Sequence, residues 1–290
     1  MVKPLLETAL ALGFNLGPYS QLGSRQLVLS RASYCGIYTG AITDWSDPQI
    51  TADNGGVAVV SQATTIDAVY RSDGSGTTFM FTDHLNDVCA AAGKPYSQGV
   101  GEMFNLPNPQ PPGSSFIGAN GGSGMVTDIL TPANPLHGAI GYLTPSFVKP
   151  LNANGPPAAL AINARGFAVF PNAQSAFYAA RFGPFAKPPP GYPQTMPHTY
   201  LTDPLDYRAY PITGMVMMYF YRCYPNSDAD VPAMQAFFNT ALAPDYRGTE
   251  TPYDVLANQN GLGQLPGNLK QNDLRSINAI RVIPPSTRCS

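Results

Sequence analysis

The run Arg71-Ser72-Asp73-Gly74-Ser75-Gly76-Thr77-Thr78 gathers a guanidinium, a carboxylate, two glycines and four hydroxyls into eight positions. An apolar, β-branched stretch at 65–70 precedes it. Phe81, Leu85, Val88 and Cys89 follow at i, i+4, i+7 and i+8, so the spacing predicts a strand, a turn and a helix. First-turn N–H groups of a helix have no internal partners, and the helix dipole adds partial positive charge there. An oxyanion can rest on the amides of Ser75, Gly76 and Thr77, with the hydroxyls of Ser75 and Thr77 as further donors. Gly74 and Gly76 allow close backbone approach, and Arg71 offers a planar fork suited to phosphate. The same residue types also suit a plain capped helix start after a turn. Spacing alone leaves both readings open.

Other chemistries find little support. A serine nucleophile needs a base within hydrogen-bond reach, oriented by a third group. His84 lies nine residues beyond Ser75, about 13 Å of helical rise away. His137 and His198 sit in loop sequence, and no pair of carboxylates has a glycosidase-like setting. The chain is therefore read as a non-enzyme, without cofactor. Cys35, Cys89, Cys223 and Cys289 are widely spaced, with no Cys-x-x-Cys, so no metal site is expected.

At 290 residues and 44% hydrophobic, the chain can bury a sizeable core as one large or two smaller domains. Charged residues make up only 12% and net charge is −2, which argues against nucleic acid as a partner. The 30 prolines and 28 glycines are spread out rather than gathered into one disordered tract. No apolar run approaches a membrane span, and Glu7 interrupts what would be the core of a signal peptide.

Arg71–Thr78 with the following Phe79 resembles the phosphate-gripping motif of the PstS family, the periplasmic phosphate-binding proteins of ABC importers. Cys35-Gly-Ile-Tyr-Thr-Gly-Ala-Ile-Thr-Asp-Trp-Ser-Asp-Pro48 is similar to a second family segment. Gly138-Ala-Ile-Gly-Tyr142 and Tyr210-Pro-Ile-Thr213 resemble a third and a fourth in the same order. Leu265-Pro266 and the polar helix after it resemble the family's last helix. The family's amino-terminal strand, its turn and its serine-rich loop have no counterpart here. The resemblance implies an α/β, type II periplasmic-binding-protein fold: two lobes with central mixed sheets joined by a two-strand hinge, the first lobe incomplete. The second lobe is expected over 12–206. The hinge strand and the remnant of the first lobe are expected at 1–11 and 207–290, with crossings near 5–16 and 211–222.

The resemblance also implies a role for each residue of the motif. Arg71, Ser75, Gly76 and Thr77 would hold inorganic phosphate between the lobes, while Gly74 shapes the turn and Asp73 orients Arg71. Hinge closure and delivery to a membrane permease would follow, in the periplasm or outside the cell. A carboxylate selecting phosphate over sulfate would belong to the part without a counterpart. Disulfides Cys35–Cys89 and Cys223–Cys289 suit an exported protein, and four buried thiols remain the alternative. A non-transporting structural or interaction protein on the same scaffold is a second functional reading. In either case the uncovered apolar faces of 211–222 and 232–243 would favour self-association.

Elsewhere the pattern predicts a helix at 33–41 with Trp45 anchored below it, and a proline-rich loop at 105–116. A glycine-rich turn at 118–124 would precede a helix at 125–131, with a buried strand at 139–143. A helix at 172–182 and one opened by Asp230, with Met234, Phe237, Phe238 and Leu242 as its apolar stripe, complete the outline.

Overall fold

The computed structural model describes residues 1–182, 201, 203–225, 230–243 and 250–283. The expected crossing strand at 5–16 is two strands, β1 (Val2–Ala9) and β2 (Ala11–Asn15), broken at Leu10. There the chain changes sheets, and the Leu10 N–H donates to the carbonyl of Ile212 in the returning segment at 2.8 Å. The two hinge passages thus bond to each other.

The larger sheet has the order β2-β6-β4-β5, where β4 is Ile66–Arg71, β5 Ser115–Ala119 and β6 Gly138–Leu143. β4 lies parallel to both β5 and β6, and β2 closes the edge antiparallel to β6. Helix α3 (Gly76–Val88) links β4 to β5, and α4 (Gly121–Leu130) carries the chain back across to β6. The strand order therefore reverses around β4. In open α/β sheets ligands bind at the carboxyl ends of strands at such a point.

Residues 105–116 are not loop throughout: Ser115 and Phe116 open β5, paired with Asp67 and Ala68 of β4. The glycine-rich turn is shorter than expected, because α4 already begins at Gly121. α1 (Arg31–Tyr38) starts two residues before the expected helix and is capped by Ser30. α2 (Pro48–Asp53) is capped by Asp47 with Pro48 in its first turn. Trp45, Tyr34, Tyr38, Phe81 and Tyr142 are fully buried in one apolar core. A disulfide joins Cys35 in α1 to Cys89 at the end of α3, as expected. The second expected bridge involves Cys289, which lies outside the described residues. A small sheet of β3 (Val28–Leu29), β7 (Leu160–Ile162) and β8 (Ala168–Val169) flanks this core.

The second main sheet has the order β11-β1-β9, with β9 at Thr213–Tyr219 and β11 at Leu262–Gly263. α5 (Ala173–Phe182) packs against β1 and β11, with Gly263 lying close under Ala173, Ala176 and Phe177. The Lys187-Pro-Pro-Pro-Gly191 loop predicted after it lies outside the described residues. α6 (Asp230–Ala241), α7 (Pro252–Gln259) and α8 (Gly267–Asn278) complete this part, beside the parallel pair β10 (Cys223–Pro225) and β12 (Arg281–Ile283). Gly214 of β9 sits directly against Met80 of α3, where a side chain would clash. The two sheets thus meet on the helix that opens with the anion motif.

Candidate anion site

Arg71 is the last residue of β4, at the carboxyl edge of the sheet where the strand order reverses. Its Nε–H donates to Asp73 Oδ1 at 2.6 Å, and Nη2 pairs with Oδ2. Asp73 Oδ1 also accepts the N–H of Gly121, the first residue of α4, at 3.0 Å. The hydrogen bonds from Arg71 and Gly121 hold the Asp73 carboxyl well below the usual carboxylate range. The same Asp73 contact raises the Arg71 guanidinium further. An arginine has five N–H donors, and Asp73 takes two.

Ser75 caps α3 with its backbone extended, and its Oγ accepts the Thr77 N–H at 3.2 Å. The Ser75 and Thr77 hydroxyls lie 2.6 Å apart. The Ser75 amide, expected among the ligand donors, instead donates to the Glu102 carbonyl at 2.9 Å, so it is committed to the fold. The amides of Gly76 and Thr78 have no acceptor among the described residues. A Cβ at Gly76 would meet nothing within 4 Å, so that residue faces open space, and at Gly74 only Met103 approaches, at 3.9 Å. The structure therefore brings together Arg71, Asp73, Gly74, Ser75, Gly76 and Thr77, but with the hydroxyls bonded to each other.

Sequence reasoning missed Tyr142. Its hydroxyl accepts the main-chain N–H of Arg71 at 3.1 Å and lies 2.9 Å from Thr78 Oγ1. Burial pushes this phenol up to about 12. The only sequence signal was one tyrosine within an otherwise small and aliphatic strand. His84 is buried, bonded through Nε2 to the Tyr34 hydroxyl at 2.9 Å, and burial lowers it to about 3. His137 lies between Asp67 and Asn134, at the start of β4 rather than its end. His198 lies outside the described residues. No group of three His, Cys, Asp or Glu side chains among the described residues is placed to hold a metal. Two cavities, of about 580 and 760 Å³, lie elsewhere, and neither is lined by residues 71–78.

The family model described as PBP superfamily domain matches residues 9–242, and the chain belongs to that superfamily. It is 27% identical over 242 residues to Alkaline phosphatase L of Pseudomonas aeruginosa strain UCBPP-PA14, covering 77% of this chain and 55% of that protein. Against the phosphate-binding protein PstS of Xylella fastidiosa strain Temecula1 it is 36% identical over 107 residues, 37% of this chain and 25% of that one. The chain thus spans little more than half of the first relative and a quarter of the second. A crystal structure of the ancestral soluble variant of the Human Phosphate Binding Protein superposes with TM-score 0.69 at 22% identity, covering 98% of this chain and 77% of that chain. The two-lobed α/β architecture with mixed sheets is the fold of this superfamily.

Proposed function

We propose that this chain binds inorganic phosphate, or a closely related tetrahedral oxyanion, at residues 71–78, as the solute-capturing component of an ABC importer. The observation that carries the reading is Arg71, fixed by Asp73 at the reversal point of the sheet beside the open Gly76 amide. Three guanidinium N–H groups and the Gly76 N–H remain for ligand oxygens. An arriving oxyanion would also compete with Ser75 Oγ for the Thr77 N–H, and the Ser75 and Thr77 hydroxyls would turn outward to donate. Phosphate-binding relatives and structural neighbours support the same reading.

Residues 12–206 would form the lobe carrying the motif, with 1–11 and 207–290 as the hinge strand and the other lobe, and α5 packed on the sheet of the latter. Capture between the lobes, closure about the passages joined at Leu10 and Ile212, and release to a membrane permease would follow. The setting would be periplasmic or extracellular; no helix among the described residues is long and apolar enough to cross a membrane.

Similarity to Alkaline phosphatase L raises phosphate-ester hydrolysis as a second reading. The motif does not favour it: Ser75 Oγ is bonded to Thr77, and His84 and His137 are engaged with Tyr34 and Asp67. Calorimetric titration with phosphate and sulfate, beside a p-nitrophenyl phosphate assay, separates the two. Phosphate binding lost in Arg71→Ala, without turnover, supports capture. Turnover lost in Ser75→Ala would overturn it.

A further inference from the structure

We propose that Tyr142 is a positioning residue for the anion site, its phenol fixing the Arg71 main chain and the first turn of α3 in one register. The consequence for affinity rests on the phosphate reading above; the placement of Arg71 does not. The ladder between β4 and β6 ends at Val69 and Gly141. Beyond it, Tyr70 and Arg71 pair only with Gly118 and Ala119 of β5. The Ser72 N–H points to β5, donating to Ala119, so the Arg71 N–H points to the β6 side, where no strand carbonyl receives it. The Tyr142 hydroxyl takes that place, at 3.1 Å. The same oxygen bonds Thr78 Oγ1 at 2.9 Å, and Thr78 belongs to the first turn of α3.

This junction is rigid because both side chains are fully buried. Phe81, one turn further along α3, stacks on the Tyr142 ring with centroids 4.4 Å apart and planes 22° apart. Phenylalanine would fill nearly the same volume, so packing alone gives no reason for the oxygen. In this structure that oxygen addresses two groups, and both lie in the 71–78 segment. A buried N–H left without its acceptor pulls away toward water or another partner. Arg71 would then shift relative to the Gly76 and Thr78 amides, and a ligand bridging them would lose geometry rather than a direct contact.

The test compares Tyr142→Phe, Thr78→Val and Thr78→Ser with the parent protein. Inorganic phosphate is titrated by calorimetry, hydrogen exchange at the Arg71 amide is followed by NMR, and near-ultraviolet circular dichroism checks folding. Tyr142→Phe is expected to weaken phosphate binding at least tenfold and to speed Arg71 amide exchange at least tenfold. Thr78→Val should move both in the same direction, and Thr78→Ser, which keeps the hydroxyl, should recover most of what Thr78→Val loses. Unchanged affinity in folded Tyr142→Phe overturns the proposal. Should that variant not fold, identical affinity and exchange in Thr78→Val and Thr78→Ser overturns it. A parent that binds no phosphate removes the phosphate reading instead. Arg71 exchange then decides: faster in Tyr142→Phe supports the positioning role, and unchanged overturns it.

Discussion

Asp73 meets Arg71 side-on, one carboxylate oxygen taking the Nε–H at 2.6 Å and the other facing Nη2, while the first oxygen also holds the Gly121 amide. One short side chain therefore aims the guanidinium and ties the end of β4 to the start of α4. Asp73→Asn keeps the size but removes the charge and replaces one acceptor with a donor. Phosphate affinity should fall roughly tenfold. The folded-state carboxyl is depressed, so its contribution is present above the ordinary Asp range and is lost only as pH falls through the lowered value. Binding titrated from pH 7 down to about pH 4 should show no transition from Asp73. A midpoint near pH 4 that disappears in Asp73→Asn would contradict this.

Cys35 and Cys89 close a loop with a sequence separation of 54 and pin α1 to the end of α3. Such a crosslink restricts the unfolded chain and stabilises by about 2–4 kcal/mol. Reduction should lower the denaturation midpoint, and Cys35→Ala with Cys89→Ala should reproduce the loss without altering phosphate affinity, because α3 keeps its cap at Ser75. Thiol counting before and after reduction, with a urea titration of each state, checks both parts.

The anion motif was legible because its chemistry is local: strand, arginine, turn, cap and helix lie within one short segment. The β6 run and the α3 stripe were readable for similar reasons, whereas the Cys35–Cys89 pair, 54 residues apart, was expected only from the family resemblance. β5 was hidden because Phe116 and Ile117 are two apolar residues after a proline-rich loop, and pairing with β4 makes them a strand. The early start of α4 was equally hidden: glycine is a poor helix former, and the Gly121 amide is fixed by Asp73, 48 residues away. The expected polar last helix contains Lys270, fully buried against both carboxylate oxygens of Asp254 at 2.8 and 2.9 Å. Asp254 is also half of a capping box with Thr251. No residue spacing announces a pair that only tertiary packing makes.

Glu7 lies on β1 opposite Met215 and Gly263, fully buried, with neither carboxyl oxygen hydrogen-bonded among the described residues. Burial pushes its carboxyl well above the ordinary range. A raised folded-state value means that stability is fullest below the unfolded Glu value, about pH 4.3, and is lost as pH rises toward the folded value. Glu7→Leu removes the buried polar group at similar volume. It should raise stability by about 1–3 kcal/mol at neutral pH and flatten the decline above about pH 5. Urea denaturation of parent and variant at several pH values measures this; a variant less stable than the parent at pH 8 would sink the assignment.

Phe237 of α6 meets the Tyr253 ring of α7 edge-on, with centroids 6.3 Å apart. Phe237 is 54% exposed, and Leu256, one turn after Tyr253, is 57% exposed. Tyr219 and Tyr221 near the end of β9 are also exposed. Neighbouring apolar side chains of this size form a patch that water disfavours, and association buries it. The protein is expected to sediment as a concentration-dependent mixture, shifting toward larger species as salt rises, since the contact is apolar rather than ionic. Phe237→Ser combined with Leu256→Ser should return it toward monomer with little loss of stability, because neither side chain belongs to the buried core. Sedimentation velocity over a hundredfold concentration range makes the comparison. A parent that stays monomeric throughout, or a double variant that associates as strongly as the parent, would rule this face out as the contact.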